Sequence, residues 1–152
     1  FWQNSNYIFP LIKGAKQTLK ILKNQNIQFG ILTSSGKESM DYSLKRLHIN
    51  NFFDFIIAEE QNKTRKPDKR VFNPVLKYLR KNHIKLDESL YIGDSPRKDY
   101  IMAKKVGIPF LGVKTGYYSQ KDFTLLGLTK NRIIRSIKEL PRWLEKNYDI
   151  KY

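Results

Sequence analysis

Five short apolar runs, separated by stretches with helical spacing, constrain this chain more than any other feature. Ile27-Gln28-Phe29-Gly30-Ile31-Leu32-Thr33 reads as a buried strand, apolar and β-branched in its C-terminal half. Asp54 to Ala58, Leu90-Tyr91-Ile92, Pro109 to Val113 and Arg132-Ile133-Ile134 supply four more. Apolar residues recur at helical spacing before, between and after them: Ala15, Leu19 and Leu22; Met40, Leu44 and Leu47; Val71, Val75 and Leu79; Tyr100, Ala103 and Val106; Leu140 and Leu144. Ser35-Gly36-Lys37-Glu38 and Ser136-Ile137-Lys138-Glu139 have the form of capping boxes that start the second and last of these helices. Pro74 fits the third only if the helix restarts, with Asn73 as cap and Pro74 in its first position. Strands alternating with helices of this length predict βαβ units and a parallel sheet covered on both faces, a three-layer α/β/α architecture.

The 152 residues, 40% apolar and 13% aromatic, suffice for one core, and residues 10–146 read as a single domain with 1–9 and 147–152 outside it. The net charge is +15, yet charges alternate with apolar residues, which excludes the disordered class. Its 21 Lys and 8 Arg are spread over the whole chain, whereas a nucleic-acid footprint should cluster on one face. No apolar run approaches the ~20 residues of a membrane span. The absence of Cys excludes a disulfide scaffold, a thiol nucleophile and a Cys-ligated zinc site, and suits the cytoplasm. Phe1 to Tyr7 has no signal-peptide pattern and reads as the middle of a longer protein. Neither His48 nor His83 follows a strand, so Ser-His-Asp catalysis and a His-rich metal site are poor fits.

In parallel sheets, ligands bind beyond the carboxyl ends of the strands. The residues there are Thr33, Ser34 and Ser35 after the first strand, Lys63, Arg65 and Lys66 after the second, and Asp94, Ser95 and Asp99 after the third. Each cluster alone has a bland explanation: a helix cap, a solvated basic loop, an Asx turn or a carboxylate favouring a helix start. Together, a hydroxyl with free amides, an ammonium and two carboxylates at one sheet edge are what a phosphate monoester and its metal ion require. Tyr117 and Tyr118, after Gly116, fall in a loop past the fourth strand, where they either face a substrate or pack on their own domain.

Three segments carry a resemblance. Ile31-Leu32-Thr33-Ser34-Ser35, Lys66-Pro67-Asp68-Lys69-Arg70-Val71-Phe72 and Leu90-Tyr91-Ile92-Gly93-Asp94-Ser95-Pro96-Arg97-Lys98-Asp99 are similar, in order and spacing, to motifs II, III and IV of the haloacid dehalogenase superfamily. Residues 103–108 and 134–140 resemble its phosphoglycolate-phosphatase-like subgroup. The likeness covers residues 9–146. It implies a Rossmann-like core and a Mg²⁺-dependent phosphatase acting on a small phosphorylated metabolite through an aspartyl-phosphate. Thr33 would hydrogen-bond the transferring phosphoryl group, and Lys66 would steady its oxygens and the nucleophile. Ser34 would add an amide to the phosphate. Asp94 would bind Mg²⁺, Asp99 would either reach the metal or orient Lys66, and Ser95 would support the metal site.

One departure qualifies this. The family's nucleophile is the first Asp of an Asp-x-Asp motif ending an N-terminal strand, and nothing here matches it: Asp54 precedes its strand, and Asp149-Ile150-Lys151 has Lys where the second Asp belongs. Tyr7 to Gly14 reads as the return from an inserted cap into the core. The expectation is a core lacking its central first strand, inactive by itself, with the nucleophile strand and cap upstream. The alternative is a domain that has lost that motif and keeps the fold for binding, RNA being the partner the charge suits.

Overall fold

A computed structural model describes residues 10–59, 64–148 and 150. Residues 1–9, Lys63 and Asp149, Lys151 and Tyr152 of the tail, on which some of these expectations fall, lie outside the described residues. The elements run α1 (Ala15–Lys23), β1 (Gly30–Thr33), α2 (Lys37–Arg46), β2 (Phe55–Ala58), α3 (Asn73–Lys81), β3 (Tyr91–Gly93), α4 (Ile101–Val106), β4 (Phe110–Val113), α5 (Gln120–Leu125), β5 (Ile133–Ile134) and α6 (Leu140–Tyr148). They form two compact units, one holding everything up to β2 together with α6, the other spanning Thr64–Glu139.

In the first unit β1 and β2 pair in parallel, from Gly30 opposite Phe55 to Thr33 opposite Ala58. The first strand is shorter than its apolar run because the Phe29 amide is taken by the Asp54 carboxylate, at 2.7 Å, and the ladder starts one residue later. Lys23 holds that same carboxylate at 3.1 Å. Gly30 admits the Phe55 ring across the pair, where any side chain would collide with it. Leu22 of α1, Leu44 of α2 and Leu140, Trp143 and Leu144 of α6 are buried, so each helix contributes the apolar stripe its spacing predicted.

The second unit is a three-stranded parallel sheet in the order β3-β4-β5. All four residues of the middle strand are buried, as its continuous apolar run requires. The α3 region restarts as expected: Lys69–Phe72 is a 3₁₀ turn, its Arg70 amide capped by Asp68, and α3 begins afresh with Pro74 in its first turn, although the cap position falls on Phe72. Gly107, at φ 82°, closes α4 in the left-handed conformation that favours glycine. Phe72, Met102, Leu111 and Phe123 are fully buried, each contributing about 1.5–3 kcal/mol of burial.

The two sequence capping boxes do not form. Gly36, not Ser35, stands at the start of α2, in extended backbone and with no side-chain cap. The Ser35 amide is turned instead onto Thr33 Oγ1, at 3.0 Å. The Glu139 carboxylate takes the Arg135 amide at 3.1 Å, and α6 starts at Leu140 with Pro141 behind it. A reciprocal cap does form where none was expected: the Asp122 carboxylate accepts from both the amide and the hydroxyl of Ser119, at 2.8 and 2.7 Å, and starts α5.

Candidate active site

In the first unit, Thr33 and Ser34 lie at and just past the end of β1. Thr33 Oγ1 accepts the Ser35 amide, which closes a tight local turn and leaves the hydroxyl proton of Thr33 to another acceptor. Ser34 Oγ donates to Glu59 Oε1 at 2.7 Å. Glu59, directly after β2, is only 4% exposed, an acidic residue buried beside the end of a parallel pair. Its role was not foreseen, since Glu59 opens a polar stretch that reads as solvated loop.

The second unit, by itself, holds Lys66, Asp94, Ser95 and Asp99. β3 ends at Gly93, so Asp94 leaves the carboxyl end of a strand. The chain then enters a widened helical turn over Pro96–Tyr100, in which the Ser95 carbonyl accepts the amides of both Asp99 and Tyr100, at 2.8 and 3.2 Å. Such π-turns occur often at functional positions. Ser95 is tied to this turn twice more: its hydroxyl accepts the Lys98 amide at 3.2 Å, and its amide donates to Asp99 Oδ2 at 3.1 Å.

Asp99 is 5% exposed, and its other oxygen faces a cation. Lys66 Nζ lies 2.9 Å from Asp99 Oδ1, with only 10% and 7% of the two side chains exposed. Tyr91, the first residue of β3, completes the group: its hydroxyl lies 2.7 Å from the same Asp99 oxygen and 3.3 Å from Lys66 Nζ. Sequence reasoning passed over Tyr91 because it sits in an apolar strand. The available signal was its phenol, which needs a partner when a strand carries it inward.

Asp94 differs from its neighbours. It is exposed, and its carboxylate makes no hydrogen bond or ion pair among the described residues. Gly116, beyond the end of β4, closes on it, and a Cβ there would overlap the carboxylate. Tyr117 projects from the same loop, 96% exposed and packed edge to face on Tyr118 at 5.5 Å.

Two residues beyond Lys66, Asp68 accepts the Arg70 amide at 2.9 Å and the Arg70 guanidinium at 2.6 and 2.9 Å. These bonds, with the nearby Lys105 charge, hold the Asp68 pKa at about 2, well below the usual carboxylate range. Arg65, Pro67, Asp68, Lys69 and Lys105 line an open cleft of about 640 Å³.

The model of the haloacid dehalogenase-like hydrolases matches residues 3–113. The chain belongs to this family. Among its relatives, a glyceraldehyde 3-phosphate phosphatase of Pyrococcus furiosus is 28% identical over 134 residues, 88% of this chain and 53% of that protein. A phosphoglycolate phosphatase of Pseudomonas fluorescens is 27% identical over 116 residues, 76% of this chain and 41% of that protein. The haloacid dehalogenase-like chain thus spans about half the length of the curated relatives it matches. A solved structure described as a predicted phosphoglycolate phosphatase, from Haemophilus somnus, superposes with a TM-score of 0.78 at 20% identity, covering 93% of this chain and 60% of that one. That likeness is one of fold, and it agrees with the α/β, Rossmann-like core expected of the family. No helix among the described residues is long and apolar enough to cross a membrane.

Proposed function

We propose that the full-length protein is a Mg²⁺-dependent phosphatase, located in the cytoplasm, that hydrolyses a small phosphate monoester through an aspartyl-phosphate. The nucleophilic carboxylate is expected from outside this chain. The observation that carries the reading is the Lys66 ammonium, largely shielded from water and held by Asp99 and Tyr91 at the motif positions. A charge fixed in place before the reaction stabilises the negative charge that develops on phosphoryl oxygens at no cost of reorganisation.

The residues around Asp94 fit Mg²⁺. Asp94 offers two hard oxygens that no described residue claims, and Gly116, packed against them, brings no side chain of its own to compete with an ion. Mg²⁺ commonly binds one or two carboxylates and completes its shell with water and substrate oxygens, so the lack of a cluster of three or more such ligands among the described residues does not count against it. Bound there, the ion would neutralise phosphate charge and orient the ester. Asp99, whose oxygens already receive Lys66, Tyr91 and the Ser95 amide, is better suited to orienting Lys66 than to direct ligation. Thr33 keeps a proton for a phosphoryl oxygen. Ser34 offers its amide, its hydroxyl being committed to Glu59.

The test is hydrolysis of an aryl phosphate by the full-length enzyme. Asp94→Asn is expected to abolish the Mg²⁺-dependent rate with the fold intact, and Thr33→Val to cost about 1–3 kcal/mol of barrier. Wild-type rates in both variants would overturn the assignment. The 152-residue chain alone is expected to be inactive.

One observation favours a second reading, a non-catalytic domain that binds a polyanion such as RNA: among the described residues, Arg65, Lys69 and Lys105 share a cleft in which the Asp68 carboxylate is already matched by Arg70. Tight, steeply salt-dependent RNA binding, with no hydrolysis by the full-length protein, would favour it.

A further inference from the structure

Resting on the reading of Lys66 as a participant in phosphoryl transfer, we infer that Tyr91 is a positioning residue for that reaction: its hydroxyl, shared between Lys66 and Asp99, sets the direction in which the Lys66 ammonium points. The polarity of the triangle follows from what each group can do. An ammonium has no lone pair, so the contact of 3.3 Å between Lys66 Nζ and the Tyr91 oxygen has Lys66 as donor. The phenol proton is then directed to Asp99 Oδ1, at 2.7 Å, the same oxygen that accepts from Lys66 at 2.9 Å.

Lysine on its own is a point charge on a flexible four-carbon stem, and one acceptor leaves it an arc of positions. Two acceptors define a direction, provided that both are themselves fixed. Here both are. The Tyr91 ring meets Phe72 edge-on, with centroids 5.6 Å apart and planes at 78°, and tilts against Phe110 at 5.7 Å. Phe72 and Phe110 are buried, from the turn before α3 and from the middle strand, so packing alone locates the phenol oxygen. Asp99 is fixed through its second oxygen by the Ser95 amide at 3.1 Å. The ordering of the lysine stem is therefore met on folding and not at each catalytic cycle.

Tyr91→Phe tests this, because it keeps the ring and its packing and removes one oxygen. In the full-length enzyme acting on an aryl phosphate, kcat is expected to fall about tenfold with KM nearly unchanged, the size of one hydrogen bond. The second measurement needs no turnover: nitrogen-detected NMR of the Lys66 ammonium in the 152-residue chain, with the melting temperature as a check on folding. The expected result is faster proton exchange at Lys66 in Tyr91→Phe, with melting little changed. Unaltered exchange would overturn the positioning role whatever the kinetics. Faster exchange with unaltered kcat would also overturn it, and Lys66→Met then separates the two failures: an unaltered kcat there traces the failure to the reading of Lys66, a lowered one to the role of Tyr91 alone.

Discussion

Gly116 presses against Asp94 so closely that no side chain fits between them. The contact joins the ends of neighbouring parallel strands, because Gly93 pairs with Gly112 and the chain leaves both strands at the same edge. Asp94 is exposed and has no hydrogen-bond or ion-pair partner among the described residues, so it can swing away from a larger residue at little cost in stability. Gly116→Ala is therefore expected to leave the melting temperature nearly unchanged. It should raise the Mg²⁺ concentration for half-maximal hydrolysis in the full-length enzyme, by about tenfold if one ligand contact is lost. An unchanged Mg²⁺ titration would mean that the carboxylate does its work elsewhere.

Gly93→Ala makes the opposite case with the same added methyl. Its Cβ would lie 2.6 Å from Asp99 Cβ, and Asp99 cannot retreat without leaving Lys66, Tyr91 and the Ser95 amide. Overpacking at such a site costs about 1–3 kcal/mol. Denaturant unfolding should show that loss, and Lys66 exchange should quicken with it.

Removing Lys66 tests the charge pair itself. Lys66→Met leaves the Asp99 carboxylate buried without its cation, which costs about 3–5 kcal/mol. Asp99→Asn added to Lys66→Met should recover part of that loss, since the uncompensated charge is gone. If the double variant is as unstable as the sum of the singles, the two side chains do not interact as described.

The pH dependence of stability should carry the mark of Asp68. Its pKa falls from 3.8 to about 2 on folding, so its contribution is complete above 3.8 and is lost as the pH drops toward 2. Asp68→Asn should flatten the acid limb of a stability profile over that range, lower the plateau above it slightly, and match the parent chain at the acid end. Because the pair is at the surface, the difference should shrink in high salt.

Much of the architecture was legible from residue patterns. All five strands lie where their apolar runs stand, and the restart at Pro74 followed from its missing amide. The strand start at Gly30 was not legible, because it depends on the Asp54 carboxylate reaching Phe29 across the chain. The capping box at Ser35 failed for a similar reason: a competing acceptor, Thr33 Oγ1, took the amide. α5 was missed because it is six residues long with Phe123 alone buried, too short to show a period. At the candidate site, Lys66, Asp94 and Asp99 stood out as charges after strands. Tyr91 and Glu59 did not, because a partner that matters only through a long-range contact leaves no trace in local spacing.

The membership of α6 in the first unit bears on how the chain is made. Leu140, Trp143 and Leu144 are buried in the unit that contains α1, yet the whole of the other unit lies between α1 and α6 in the chain. A ribosome therefore releases α1, β1, α2 and β2 long before the helix that completes their core exists. The second unit, contiguous from Thr64 to Glu139, has no such wait. The later part of the polypeptide should acquire protection from hydrogen exchange first, and the earlier part should stay open to chaperones until translation has passed residue 148.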